Sequence, residues 1–590
     1  MRLNLNNKKK ATFSEYFFRA VIIVLFAVSA NLLENQRLVA QFHPQHESQT
    51  LDTGFIVSPI SKNDTAFLVV AADRGFLGNE EVRDEFEVFR QHFAAEIAFL
   101  PWEGDTLRYF DTALTKLRAG GAKRIAIVPL FISSSHPLLK RLKDNVSSLD
   151  ETLVVTDPLG ESFFAEEIIL DSFSTLRGKQ QTSLHKNNGL KDISVLLVGS
   201  GALDANSEFS MKNDLKGLLA RVEDASPFYE SSVVVLHHHS SKGDSQKDSF
   251  DYLYSEAQRL VSIGQPVVVV TYHLGARMDS MMDLNSSISH RLQGLPVQII
   301  NAGPVPHNAI STWMARESNR LIPLQDEEIG FVIMPHGSNI NWNETIRQPL
   351  KRLEAENHVE YAFSMADPNV LTRAIKKLEA RGVRGIAVIR VFAQESSFRS
   401  RTEFVLGLGS LSGPTMGMSP PSRLRSASIF ATLGGVEDHP LFAKALLDRA
   451  REISRNPSQE TILLLGHGAA TEEGNSNWLE RLESIASQMN NQAPEFQHFR
   501  WELWREDWPE KRKEAEEKIK AIIAEEKNAG RTALVIPART ALQGPEPEIL
   551  GHLSNVRIGS GFAPHSFFGE WVSEQLVRAT EELKASSVWP

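Results

Sequence analysis

Two histidines stand at the ends of apolar runs in matching surroundings. His336 closes the run of "FVIMPHGSNINWN", and His467 closes that of "ILLLGHGAATEEGN" about 130 residues later. Each is followed by glycine and small residues, in a turn too open to bury an imidazole. A neutral imidazole there can hold a divalent transition metal, or accept a proton near neutral pH. A turn residue that hydrogen-bonds only to backbone would look the same in sequence. Other donors have comparable positions. His136 lies just past "KRIAIVPLFI", His237, His238 and His239 end "SSVVVL", His273 lies on "QPVVVVTYHL", and Glu502 lies in "FRWEL". Strand side chains alternate, so at most His237 and His239 share a face.

The elements that position these residues recur four times. Runs of first-strand character reach an asparagine soon after a small-residue turn, at Asn79, Asn206, Asn343 and Asn475, spaced 127, 137 and 132 residues apart. A polar stretch of helical period follows each. Then come a second strand ("AEIAFL", "SSVVVL", "VEYAF", "FRWEL"), another helix, a third strand ("KRIAIVPLFI", "QPVVVVTYHL", "RGIAVIRVFA", "RTALVIPART") and a short fourth strand ending in a Gly/Pro turn. Unalternating Val/Ile/Leu strands between helices predict parallel sheets covered on both faces. The expected domains are 60–180, 190–320, 328–455 and 459–590. Ligands of such sheets collect at the carboxyl ends of the strands. The Gly/Ser/Pro-rich "GLGSLSGPTMGMSPPS" reads as a mobile loop, a candidate lid.

Composition narrows the classes. The 590 residues carry a net charge of -10 and no long basic run in the body, which argues against nucleic acid as a partner. With no cysteine, thiolate metal sites, iron–sulfur clusters and disulfides are excluded. Nothing resembles a phosphate-binding or dinucleotide fingerprint, so no organic cofactor is expected. Residues 1–40 pair a basic stretch (Lys8–Lys10) with the apolar "AVIIVLFAVSA" and small-residue sites at Ala30 and Ala40. This order predicts an export signal, or a membrane anchor if uncleaved, and a location outside the cytoplasm.

The strand–GHGS–turn–Asn openings at His336 and His467, and "GGAKRIAIVPLFISSSH" ending at His136, resemble the sirohydrochlorin chelatase family. These are the small class II cobalto- and ferrochelatases of cobalamin and sirohaem synthesis. The resemblance covers the chain after about residue 60. It implies an α/β fold of four tandem, flavodoxin-like parallel-sheet domains arranged as two pairs. It also implies insertion of a divalent metal, Co(II), Fe(II) or Ni(II), into a tetrapyrrole held between paired domains. The metal is then a substrate. A histidine at the first strand end and another beyond the third would hold it and take the pyrrole protons. On that reading His336, His467 and Glu502 are catalytic, and His336, His467, His136, His237, His239 and His273 are metal ligands.

No unit carries the full set. Ala72 and Ser200 replace the first histidine in units one and two. Glu395 and Ser397 stand near the second position in unit three, and Gln543-Gly544 in unit four. A non-catalytic extracytoplasmic carrier of metal or tetrapyrrole is the rival expectation. His307, His439 and His565 read as structural turn residues. Trp501, Trp504 and Trp508 are candidates to stack on a macrocycle, or core.

Overall fold

The computed structural model describes residues 64–146, 152–179, 189–238, 245–274, 284–302, 308–411 and 421–589. All belong to the unit Phe55–Pro590. The expected export signal, His239, His307 and most of the glycine-rich loop lie outside the described residues.

Among the described residues sixteen strands form four sheets of four. The first holds β1 (Thr65–Ala72), β2 (Ala95–Leu100), β3 (Arg124–Pro129) and β4 (Leu153–Val155). The second holds β5 (Ser194–Ala202), β6 (Glu230–His237), β7 (Val267–Tyr272) and β8 (Val297–Ala302). The third holds β9 (Ile329–Pro335), β10 (His358–Tyr361), β11 (Gly385–Val391) and β12 (Ile429–Gly434). The fourth holds β13 (Glu460–Gly466), β14 (His498–Leu503), β15 (Thr532–Pro537) and β16 (Val556–Ile558). Every pairing is parallel, and each sheet has the order second, first, third, fourth. The chain therefore reverses direction across the sheet between its first and third strands. Their carboxyl ends flank the crevice where such folds bind ligands.

The unbroken apolar strands have a specific cause. In β1, Phe67, Val69 and Ala71 enter one core while Ala66, Leu68, Val70 and Ala72 enter another. The same split divides Val195 and Leu197 from Leu196 and Val198, Phe331 and Ile333 from Val332 and Met334, and Ile462 and Leu464 from Leu463 and Leu465. One face of each sheet packs into its own outer core. The other packs into a core shared with one neighbouring domain, first with second and third with fourth. Each fully buried Val or Leu contributes about 1.5–3 kcal/mol, so the pairing is set by apolar burial on the inner faces.

Polar contacts then fix the ends that carry the crevices. Asp214, on helix Ala205–Ala225, accepts from Ser133 Oγ (2.6 Å), Ser134 Oγ (3.1 Å) and the Ser135 amide (2.9 Å) just beyond β3. In the second pair the equivalent helix carries the opposite charge and reaches the loop beyond β12 instead. Arg481, on helix Glu472–Gln492, pairs with Glu437, and Ser484 donates to Asp438 at 2.6 Å. The two pairs are joined by Arg423 to Glu166 and by Arg425 to Asp171 (2.6 Å). Buried Arg316 lies between the rings of Phe163 and Phe430.

Among the described residues no helix is long and apolar enough to cross a membrane.

Candidate functional site

The asparagines that mark the repeat are turn locks. Asn343 Oδ1 accepts from the Ser338 amide (3.0 Å), Asn475 Oδ1 from Ala469 (3.0 Å) and Asn79 Oδ1 from Arg74 (2.9 Å). The side chain closes the loop between strand and helix, satisfying an amide that no helical carbonyl reaches. In the second unit Ser207 does this work instead of Asn206, accepting from Leu203 at 3.0 Å. The locks also align the units: Ala72, His336 and His467 occupy one position, and Arg74, Ser338 and Ala469 the position two residues on.

His336 is exposed at the end of β9, with Nδ1 2.7 Å from the Gly337 carbonyl. His467 is half-buried at the end of β13, with Nδ1 3.1 Å from the Gly468 carbonyl. A carbonyl only accepts, so Nδ1 carries the proton in both rings and Nε2 is the nitrogen turned away from the backbone. That is the tautomer in which a histidine binds metal or takes a proton through Nε2. The geometry needs glycine next in line, and both Gly337 and Gly468 have φ +86°. Nε2 of His467 lies 3.5 Å from Asp507, and the Trp508 ring meets the imidazole edge-on at 6.3 Å.

Glu502 is buried and already engaged. Lys518 lies 2.5 Å from its Oε2, and its Oε1 accepts from the Leu503 amide at 3.0 Å. Nothing in this arrangement joins it to His467. Glu395 bridges Arg390 (3.2 Å) and Arg399 (2.7 Å).

The first pair differs in chemistry. His136 is fully buried, and its Nδ1 accepts from the Leu138 amide at 3.3 Å. The proton is therefore on Nε2, the reverse of His336. His439 and His565 accept from Leu441 and Phe567 in the same way, both at 3.3 Å, as helix-capping turn residues do. The His-Pro-Leu order shared by residues 136–138 and 439–441 is a sequence signal for this capping role. His237 is buried with Nε2 2.8 Å from Glu208, and His273 is buried one residue past β7. His238 stacks on Trp102 at 3.8 Å, bringing the second sheet's edge onto the first domain. Trp102 Nε1 donates to the Asp73 carbonyl at 2.9 Å. Burial, with the Arg74 charge added, pushes both His136 and His273 down to about 3.

Among the described residues no three His, Asp or Glu side chains gather as a group able to hold a metal. A cavity of about 830 Å³ opens instead at the end of β12, lined by Glu395, Arg399, Glu403, His439, Trp571 and Gln575 among others. Neither His336 nor His467 lines it. Of the tryptophans, Trp504 is core, its Nε1 donating to Glu546 at 2.8 Å, while Trp508 faces His467.

No protein-family model matches the chain. No curated protein matches it either. Among solved structures, SirB from Bacillus subtilis with Fe3+ aligns at 19% sequence identity with a TM-score of 0.30. The match covers 42% of this chain and 92% of that one.

Proposed function

We propose that the half of the chain after residue 325 binds a divalent transition metal through Nε2 of His336 and His467. We further propose that it inserts that metal, as Co(II) or Fe(II), into a sirohydrochlorin-type tetrapyrrole. One observation carries this reading: both histidines donate Nδ1–H to the carbonyl of the next residue at equivalent strand ends, which turns Nε2 away from the turn, in His467 toward the Asp507 carboxylate at 3.5 Å. An imidazole so oriented can release a metal and accept a pyrrole proton. Exposed apolar side chains suit a flat macrocycle beside His336. Ile340 starts the following helix and is 71% exposed; Met365 lies just past the neighbouring strand and is 48% exposed. In this reading Glu502 takes the second proton only after parting from Lys518.

A second reading, a carrier that binds metal or tetrapyrrole without turnover, is favoured by the engaged Glu502 and by the lack of a preassembled three-ligand group among the described residues. The test is the absorption change of sirohydrochlorin with the full chain and Co(II) or Fe(II). Faster metallation by the parent than by H336A/H467A supports insertion. Tight binding of metal or sirohydrochlorin without acceleration supports the carrier.

A further inference from the structure

Unit one lacks the strand-end histidine and has gained a charge. Ala72 stands where His336 and His467 stand. Two residues on, Arg74 replaces Ser338 and Ala469. The Asn79 lock holds the Arg74 backbone in place at the carboxyl end of β1. The nearest carboxylate in sequence is committed elsewhere, since Asp73 Oδ1 accepts from the Gly75 amide (2.9 Å) and Asn79 Nδ2 (2.8 Å).

Among the described residues no carboxylate pairs with Arg74. This is unusual for the chain. Among the described residues, more deeply buried guanidiniums have partners: Arg384 with Glu328 (2.7 Å), Arg390 with Glu395 and Arg423 with Glu166, while Arg316 is held by the Leu406 carbonyl and two rings. Arg74 is half-buried and stays charged at neutral pH, burial lowering it only to about 10. The groups that feel its charge are His136 and His273, both neutral. Glu208, the carboxylate in contact with the second sheet's edge, is bound to His237. A half-buried guanidinium with no carboxylate partner among the described residues keeps its donors available to an anion from solvent.

We infer that the crevice of the first domain pair binds an oxyanion, a carboxylate or phosphoryl group of a small molecule, with Arg74 as its fork. Arg74 presents a planar set of donors that matches either group. The Trp102–His238 stack supplies a flat wall where the two domains meet. A fixed positive charge thus occupies the region where the second pair offers lone pairs. The inference is independent of metal binding at His336 and His467.

The test uses the metal-free full chain, titrated calorimetrically with succinate and with inorganic phosphate in low-chloride buffer containing EDTA. Saturable binding of one of them is expected, weakened at least tenfold in Arg74→Gln, less in Arg74→Lys, and unchanged in H336A/H467A. Tighter succinate binding assigns a carboxylate ligand, and tighter phosphate binding a phosphoryl ligand. No binding of either anion by the parent overturns the inference. So does unchanged affinity in Arg74→Gln, or in Arg74→Lys if the glutamine variant does not fold.

Discussion

The Nδ1 atom of His336 stands 2.7 Å from the carbonyl oxygen of Gly337, and His467 repeats the contact with Gly468. A residue thus orients its side chain through the backbone of its own turn. The orientation depends on the glycine, because a Cβ on Gly337 would sit 2.9 Å from Phe363 Cβ, and one on Gly468 3.0 Å from the Arg505 amide nitrogen. Gly337→Ala is expected to cost about 1–2 kcal/mol of stability through its positive φ. It should also weaken Co(II) binding, since the carbonyl that holds the ring must move. Thermal unfolding and Co(II) titration of the variant check both; unchanged metal affinity in a destabilised variant would separate the glycine from the ring.

The repeat was legible because its causes are local. Three locking asparagines and four sets of doubly buried strands leave marks in the chain itself, and the parallel α/β sheets follow from them; in the second unit the lock is Ser207 and not the Asn206 that the spacing singles out. The tautomers were not legible, because a proton's place depends on a 2.7 Å contact within a turn. Nor was the engagement of Glu502 by Lys518, which joins a strand to the next helix. His136 drew a ligand reading from its family-like setting, whereas its ring caps a helix. Arg74 carries no mark in the sequence, because its meaning lies in having no carboxylate partner among the described residues.

Asp214 collects three donors from the loop beyond β3. Asp214→Ala orphans these donors, of which Ser133 is buried, and is expected to cost about 2–3 kcal/mol. Urea unfolding followed by fluorescence reads this; a loss below about 0.5 kcal/mol would mean water replaces the carboxylate.

Arg423 and Glu166 join the two pairs across a buried contact. Removing one partner of such a bridge typically costs about 3–5 kcal/mol. Arg221 still bonds Glu166 at 2.6 Å, so Arg423→Met should lose about 2 kcal/mol. Hydrogen exchange in residues 160–173 should quicken with it; unchanged exchange would show that the pairs do not depend on this bridge.

His136 and His273 are both held neutral by burial, down to about 3. Their unfolded values are near 6.5, so between about 6.5 and 3 the unfolded chain binds more protons. Stability is therefore unaffected by these groups above about pH 6.5 and falls as pH drops below it. The two together give a slope of up to about 2.7 kcal/mol per pH unit in that window. Urea midpoints from pH 7 to 4.5 should fall less steeply for His273→Gln than for the parent. Parallel curves would mean that His273 is protonated in the folded chain.

Calorimetric titration of Co(II) into the full chain tests most directly whether Nε2 of His336 and of His467 bind a divalent metal. The parent should bind more tightly than H336A/H467A by at least tenfold, about 1.4 kcal/mol, with the thermal midpoint unchanged because neither ring is packed in a core. Equal affinity in the parent and the folded double variant would contradict the claim and leave both histidines as turn residues.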